Sequence, residues 1–239
     1  MSARFSVKLP FGAQVTTPGQ VRFRVWAPGA DAVAVDITGR GRLPMSAEDA
    51  ASPAWYVLET ECDPGTLYRY VFQTREQGEV SAPDPASRGQ AGDVFDPSVV
   101  VDPEAFLWQH TNWQGRPWEE TVLYELHPGA MGGFAGIQQR LAELAELGIT
   151  AIELMPVAEF PGAHNWGYDG VLPFAPDASY GTPDQLKALI DTAHGLGMMV
   201  FLDVVYNHFG PDGNYLHSYA PDFFRHDMNT CLLYTSPSP

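Results

Sequence analysis

An aspartate inside an apolar run, followed by a histidine at the end of that run, has the clearest chemical potential in this sequence. The run covers residues 199–208, with Asp203 near its centre. Long apolar runs are typical of parallel strands covered on both faces, so we predict a strand over residues 199–206 with Asp203 buried. A buried carboxylate is costly unless a cation or several donors meet it. Asp203 is therefore an active-site candidate, although capping a helix or pairing with a structural arginine would explain it equally well.

His208 and Tyr168 are the other two candidates. His208 follows the predicted strand and could donate a hydrogen bond to a sugar oxygen, although a lone histidine is usually structural. Tyr168 lies in the Asn-Trp-Gly-Tyr-Asp-Gly segment of residues 165–170. A flat aromatic beside polar groups commonly holds a pyranose ring. An isolated aromatic in a long loop is more often a packing residue, so both interpretations stay open.

Alternating strands and helices position these residues. Apolar strands are predicted over residues 121–127, 149–155 and 199–206, separated by an amphipathic helix that ends at Gly148 and by a second helix. The second helix has Thr182 as N-cap, Pro183 at N1 and Gln185 at N3, which is a capping box. Repeated βα units predict a parallel sheet whose strand C-terminal ends lie on one side, where functional residues collect.

The first eighty residues have a different pattern. Short segments alternate apolar and polar residues between Gly- and Pro-containing turns, which predicts antiparallel strands and a small β-sandwich over residues 1–80. Residues 81–110 carry no period and are predicted to be a linker, and residues 111–228 form the second domain. Core packing explains the sandwich aromatics better than a sugar-stacking platform does. These aromatics are Trp26, Trp55, Tyr68 and Tyr70.

The composition of the chain argues against several classes of partner and cofactor. The formal net charge of −16 argues against nucleic acid or an anionic membrane as partner, so a neutral substrate fits better. Cys62 and Cys231 are the only cysteines and form no disulfide framework or zinc spacing. We expect no cofactor and no metal, since Asn207 alone is poor evidence for calcium. Without an apolar leader or membrane span, the expected location is cytoplasmic.

The predicted sandwich, the Asp-Val-Val-Tyr-Asn-His run ending at His208 and the loop around Tyr168 together resemble the α-amylase superfamily of glycoside hydrolases, and within it the malto-oligosyltrehalose trehalohydrolases. The resemblance covers about residues 5–228. It extends through residues 83–88, 97–103, 115–119, 124–127, 153–157 and 209–216. It implies an immunoglobulin-like β-sandwich followed by the first three βα units of a truncated TIM (β/α)8 barrel.

The resemblance also implies an activity: retaining hydrolysis of the α-1,4 bond that joins trehalose to a maltooligosaccharide. Asp203 matches the strand-three acid that meets an arginine near the nucleophile, His208 matches a histidine that binds the sugar at the cleavage subsite, and Tyr168 matches the stacking tyrosine. All three are positioning residues. The nucleophilic Asp, the acid/base Glu and a third Asp are expected after strands four, five and seven, beyond the end of this chain, so we expect the chain itself to be inactive.

Two departures from the family pattern accompany these expectations. The loop of residues 127–134 is shorter than in relatives, and the match stops after Met228, so residues 229–239 are expected to be a non-native tail. Two alternative functions stay open. One is a fragment of a 1,4-α-glucan branching enzyme, and the other is a non-catalytic α-glucan-binding module in which the sandwich binds the sugar.

Overall fold

The fold comes from a computed structural model that describes residues 10–49, 51–52 and 54–224. The first half contains only strands and turns. Its strands are β1 (Gly12–Thr17), β2 (Gln20–Trp26), β3 (Ala30–Ile37), β4 (Gly41–Pro44), β5 (Ser46–Ala47), β6 (Trp55–Glu61), β7 (Leu67–Thr74), β8 (Gly78–Ala82) and β9 (Ser98–Val99).

The second half alternates strands and helices. Its elements are β10 (Leu123–Leu126), α1 (Gly133–Glu146), β11 (Ala151–Leu154), β12 (Ala158–Glu159), β13 (Leu172–Pro176), α2 (Pro183–Gly195), β14 (Met199–Leu202) and α3 (Leu216–Tyr219). Three short 3-10 turns occupy Trp118–Glu120, Gly129–Met131 and Pro221–Phe223.

Two antiparallel sheets form the first half, which we call the sandwich. Their strand orders are β1-β2-β6-β5 and β4-β3-β7-β8, with β9 paired to β7. Apolar residues on alternate positions of both sheets share one core, as expected when each strand has one buried face. Tyr68 and Tyr70 are 2% and 0% exposed. Their interpretation as core residues is confirmed.

Of the other two predicted core aromatics, only Trp26, which is partly buried, packs against this core. The guanidinium of Arg24 lies 3.8 Å from the centre of the Trp55 ring, and Phe11 stacks on the same residue with ring centres 6.5 Å apart. Trp55 is partly buried and lines a cavity together with Trp26, so its interpretation as a core residue stays a prediction.

The segment predicted as a linker begins inside the sandwich. Ala82 ends β8, and β9 pairs with the start of β7. Asp84 is fully buried, where it accepts a hydrogen bond of 2.6 Å from the Tyr68 hydroxyl. Burial raises the pKa of Asp84. Residues 82–100 thus contribute to the first core, while the exact domain boundary stays a prediction.

A parallel sheet of order β10-β11-β14 organises the second half. Leu123 pairs with Ala151, and Ala151 with Met199, so the three strands start in register. Apolar residues of α1 and α2 pack with the sheet in one core. The predicted parallel order and the two helices are confirmed. Strands β10 and β11 are shorter than predicted at both ends, and β14 starts as predicted but ends four residues early.

The predicted burial of Asp203 is wrong. Strand β14 ends at Leu202, and Asp203 is the first residue after it and is only partly buried. Leu202 and Val204 are 47% and 44% exposed, so the apolar run is not covered on both faces by the described part of the chain. The carboxylate therefore keeps contact with water, and no buried cation is needed to hold its charge.

Some expectations concern residues outside this description. The predicted tail of residues 229–239, including Cys231, lies outside the described residues.

Cys62 is a buried free thiol whose pKa is raised by burial. Among the described helices, none combines the length and apolar character needed to cross a membrane.

The capping box of α2 has the predicted geometry and gives a direct stability test. The Thr182 hydroxyl accepts the Gln185 N–H at 3.2 Å, and the Gln185 side chain accepts the Thr182 N–H at 2.8 Å. We expect Thr182→Ala to lower the free energy of unfolding by about 1 kcal/mol in urea titrations, because a helix N–H loses its partner. Thr182→Ser keeps the hydroxyl and should stay close to wild type; equal losses in the two variants would contradict this role.

Candidate functional site

The loops that follow the three parallel strands meet at one edge of the sheet. One of them, residues 160–171, connects β12 to β13 as an extended hairpin and carries Tyr168; we call it the Tyr168 loop. The second, residues 203–215, follows β14 and carries Asp203 and His208; we call it the His208 loop. Because parallel strands present their carboxyl ends on one side, residues far apart in sequence come together here.

The three predicted site residues are in direct contact. The Tyr168 hydroxyl donates to Asp203 Oδ2 at 2.8 Å, and His208 Nε2 lies 2.9 Å from the Tyr168 carbonyl oxygen. Asp203 is held at the sheet edge because its N–H donates to the Leu154 carbonyl at 2.9 Å. The side chain of Asp203 thus receives a donor from the neighbouring loop.

The electrostatics follow from this geometry. The hydrogen bond to Asp203 raises the pKa of the Tyr168 hydroxyl, with smaller contributions from burial and from the charges of Asp203, Glu125 and Glu153. Glu125 and Glu153 pair in register on adjacent strands, so this edge of the sheet carries a negative potential. Tyr168 therefore stays a neutral hydrogen-bond donor to a carboxylate.

His208 forms a hydrogen bond with the backbone of Tyr168. A carbonyl oxygen accepts only, so Nε2 must carry the proton that reaches Tyr168. His208 Nδ1 lies 3.2 Å from the side-chain oxygen of Asn207. Asn207 is therefore a neighbour of the imidazole. Within the described ranges, no group of three or more His, Cys, Asp or Glu side chains could hold a metal ion.

Sequence reasoning missed three residues that shape the Tyr168 loop. His127 Nδ1 accepts the Ala130 N–H at 3.0 Å, so Nε2 carries the proton and donates to the Asn165 carbonyl at 2.6 Å. The Tyr180 hydroxyl donates to the same carbonyl at 3.2 Å. The available signal was the position of His127 at the C-terminal end of the predicted first strand, on the side where functional residues were expected to collect.

The Asn165 side chain closes the loop internally. Its Oδ1 accepts the Gly167 N–H at 2.8 Å, and its Nδ2 donates to Asp169 Oδ2 at 2.8 Å. Gly167 has φ +91°, and a Cβ there would collide with the Pro156 carbonyl oxygen. The backbone on both sides of Trp166 is therefore fixed, while the Trp166 side chain is 75% exposed.

Two buried acids lie at the base of the Tyr168 loop. Glu159 and Asp177 are each 1% exposed on the paired strand ends. Burial, together with the neighbouring Asp177 charge, raises the pKa of Glu159 to about 9, although the Ala178 N–H donates to Glu159 at 2.9 Å. Burial also raises the pKa of Asp177, which accepts from the Phe160 and Ser179 N–H groups. Glu159 is therefore protonated near neutral pH.

This arrangement suits a neutral, polyhydroxylated ligand. Tyr168 is 39% exposed and Tyr206 is 75% exposed, so both rings are accessible at the same edge as Asp203 and His208. An aromatic face beside a carboxylate and an imidazole can stack on one face of a sugar and bond its hydroxyls.

A family model for the α-amylase catalytic domain matches residues 96–227 of this chain. Malto-oligosyltrehalose trehalohydrolase from Deinococcus radiodurans is 43% identical over 206 residues, which cover 85% of this chain and 33% of that protein. The enzyme of the same name from Saccharolobus solfataricus is 39% identical, covering 90% and 37%. The 1,4-α-glucan branching enzyme of Dechloromonas aromatica is 34% identical, covering 80% and 34%. The chain spans about a third of the length of these relatives.

Two solved structures also superpose on most of this chain. A Salmonella typhimurium protein provisionally named an α-amylase superposes with a TM-score of 0.89 at 44% identity, covering 96% of this chain and 39% of that one. A pullulanase variant from Paenibacillus barengoltzii, solved with maltotetraose, superposes with a TM-score of 0.77 at 25% identity, covering 92% and 42%.

From the burial of Glu159 we predict that the stability of the chain falls as the pH rises from about 5 to 9. Its pKa rises from an ordinary value of 4.5 to about 9 in the folded chain. Its contribution is fully present below the unfolded pKa. Above it the unfolded state releases a proton that the folded state keeps, so each pH unit costs up to about 1.4 kcal/mol until the folded pKa is passed. We expect Glu159→Gln to flatten the fall in melting temperature between about pH 5 and 9.

Asp177→Asn is the matched comparison. Both Asp177 oxygens accept N–H donors, so an amide would turn an NH2 group toward a donor and destabilise the chain across the pH range. The same pH slope in wild type and Glu159→Gln would show that Glu159 does not hold its proton.

Proposed function

We propose that this chain, which belongs to the α-amylase catalytic-domain family, is part of a glycoside hydrolase that releases trehalose from maltooligosyltrehalose. The observation that carries the proposal is the identity of 43% and 39% to malto-oligosyltrehalose trehalohydrolases over 85% and 90% of the chain. The contact between Tyr168, Asp203 and His208 supports it, because it joins the residues expected to hold the sugar.

The same proposal assigns the fold in finer detail. We take the sandwich to be the immunoglobulin-like domain of this family and the sheet β10-β11-β14 to be the first three βα units of a (β/α)8 barrel. The boundaries proposed are residues 1–80, 81–110 and 111–228. In such a barrel the reacting carboxylates belong to later strands, so the site residues of this chain act in positioning.

Each site residue has a physical role in this mechanism. Retaining hydrolysis needs two carboxylates on either side of the glycosidic bond and a sugar ring held in a distorted shape. The exposed Tyr168 ring supplies a stacking face for the sugar. Asp203 holds that ring by accepting a hydrogen bond from the Tyr168 hydroxyl, and His208 holds the Tyr168 backbone by donating to its carbonyl. Together they keep one sugar face in a constant position relative to the sheet edge.

A branching enzyme is the second candidate. It is favoured by the relative from Dechloromonas aromatica, which is 34% identical over 209 residues. Branching enzymes transfer a glucan chain, so their ligand is a linear α-glucan without a terminal trehalose. The two candidates therefore differ in the ligand end that the site prefers.

Ligand preference separates these candidates. The proposed hydrolase should bind maltotriosyltrehalose more tightly than maltopentaose, which has the same number of glucose units. Isothermal titration of the chain with both ligands measures this difference directly. Equal affinities would favour the branching-enzyme assignment.

The stacking role of Tyr168 gives a mutational test. We expect Tyr168→Ala to weaken maltotriose binding by roughly three- to tenfold, the size expected for one lost aromatic contact, in NMR titrations. Tyr168→Phe removes the bond to Asp203 but keeps the ring, so it should retain most of the affinity. Leu147→Ala is the control, since Leu147 is an apolar residue that is 77% exposed and lies between α1 and the start of β11. Unchanged binding by Tyr168→Ala would sink the proposed role.

A further inference from the structure

We propose that Tyr219 anchors the His208 loop to the sandwich, so that the sandwich sets the position of the carbohydrate site. This inference rests on the proposed function, because it gives His208 and Tyr168 their roles at that site. It assigns Tyr219 as a positioning residue that acts through the loop without touching a sugar.

The anchor is an aromatic stack inside the sandwich core. Tyr219 lies at the end of α3 and is 1% exposed. Its ring is parallel to Phe72 of β7, with ring centres 3.9 Å apart and an interplanar angle of 10°. The next residue, Ala220, is fully buried in the same core. A segment that follows the third parallel strand thus supplies part of the interior of the first sheet pair.

Two hydrogen bonds also attach residues 218 and 219 to the sandwich. The Gly29 N–H donates to the Tyr219 carbonyl at 2.8 Å, and the Ser218 hydroxyl donates to the Gln77 side chain at 2.9 Å. A side chain on Gly29 would meet Pro221 at 3.0 Å, so glycine allows the two backbones to approach closely.

The other end of the His208 loop is fixed to the Tyr168 loop. The Gly210 N–H donates to the Gly170 carbonyl at 3.0 Å, and a Cβ on Gly210 would collide with the Asp169 carbonyl oxygen. His208 adds its bond to the Tyr168 carbonyl. The loop therefore bridges the sugar-binding edge and the sandwich, with a backbone attachment at each end.

The segment has little structure of its own to hold this position. Helix α3 is a single turn of four residues, and isolated helices of that length are unstable in water. Its conformation therefore depends on the surfaces that it contacts. Loss of the Tyr219 stack should release the loop and with it the Gly210 and His208 contacts.

Amide hydrogen exchange tests the anchor in the chain itself. The exchange rate of the Gly210 amide is measured in each variant and corrected for that variant's loss of global stability. We expect the corrected rate to be at least about tenfold higher in Tyr219→Ala than in Phe23→Ala. Phe23 is the matched control because it is a fully buried aromatic of the same core that packs on Tyr68 at 4.9 Å. Tyr219→Phe keeps the ring and should restore wild-type exchange. Equal normalised exchange at Gly210 in the two alanine variants would overturn the anchor.

Tyr219→Leu provides the same comparison if the alanine variant does not fold, since leucine fills volume but cannot form the parallel stack. Maltotriose titration of the folded variants adds a functional readout, in which Tyr219 variants that loosen Gly210 should bind more weakly and Tyr219→Phe should not. Absence of maltotriose binding by the wild-type chain would contradict the proposed function alone, because Gly210 exchange still decides the anchor.

Discussion

The two site loops depend on side chains that satisfy their backbone hydrogen-bonding groups. A long loop against a protein interior carries N–H and C=O groups that cannot all reach water, and each unpaired group is costly. Here His127 and Tyr180 donate to the Asn165 carbonyl, and the Asn165 side chain accepts the Gly167 N–H. Asp93, between β8 and β9 of the sandwich, accepts the Gly162 N–H at 2.8 Å. The shape of the Tyr168 loop follows from these partners, which come from four separate parts of the chain.

The same requirement brings acids into the interior. Asp177 accepts two backbone N–H groups at the base of the loop, and Glu159 accepts a third. Two carboxyl groups this deeply buried cannot both stay charged without a cation, and the raised pKa of Glu159 is the result. The loop thus gains ordered backbone at the cost of a proton that the folded chain must hold. This cost begins above the ordinary glutamate pKa of 4.5 and grows until the pH passes the folded pKa of about 9.

The sandwich has a structural role that its aromatic content alone does not reveal. Tyr68 and Tyr70 are buried, so neither can stack on a sugar in solution. The Phe72 ring instead receives Tyr219 from the far end of the His208 loop. Apolar contacts between Val94 of the first half and Val171 at the end of the Tyr168 loop add a second junction. The two halves therefore share their cores, and the sandwich supports the segment that follows the His208 loop.

Local patterns were enough for the sequence to predict the strands of both halves, the capping box at Thr182 and the three residues that meet at the site. Periodicity and helix caps are local, and the parallel βα order itself puts Asp203 and His208 at one edge with Tyr168. The burial of Asp203 was predicted wrongly, because burial depends on which surfaces cover a strand and not on the strand's own residues. The role of Tyr219 could not be predicted either, since its partner Phe72 lies far away in sequence. The sequence by itself determined most of the elements and indicated that Tyr168, Asp203 and His208 lie at one edge of the sheet. Only the tertiary structure decided which carboxyls lose water and which distant contacts hold the loops, because desolvation and packing are set by neighbours brought together in space.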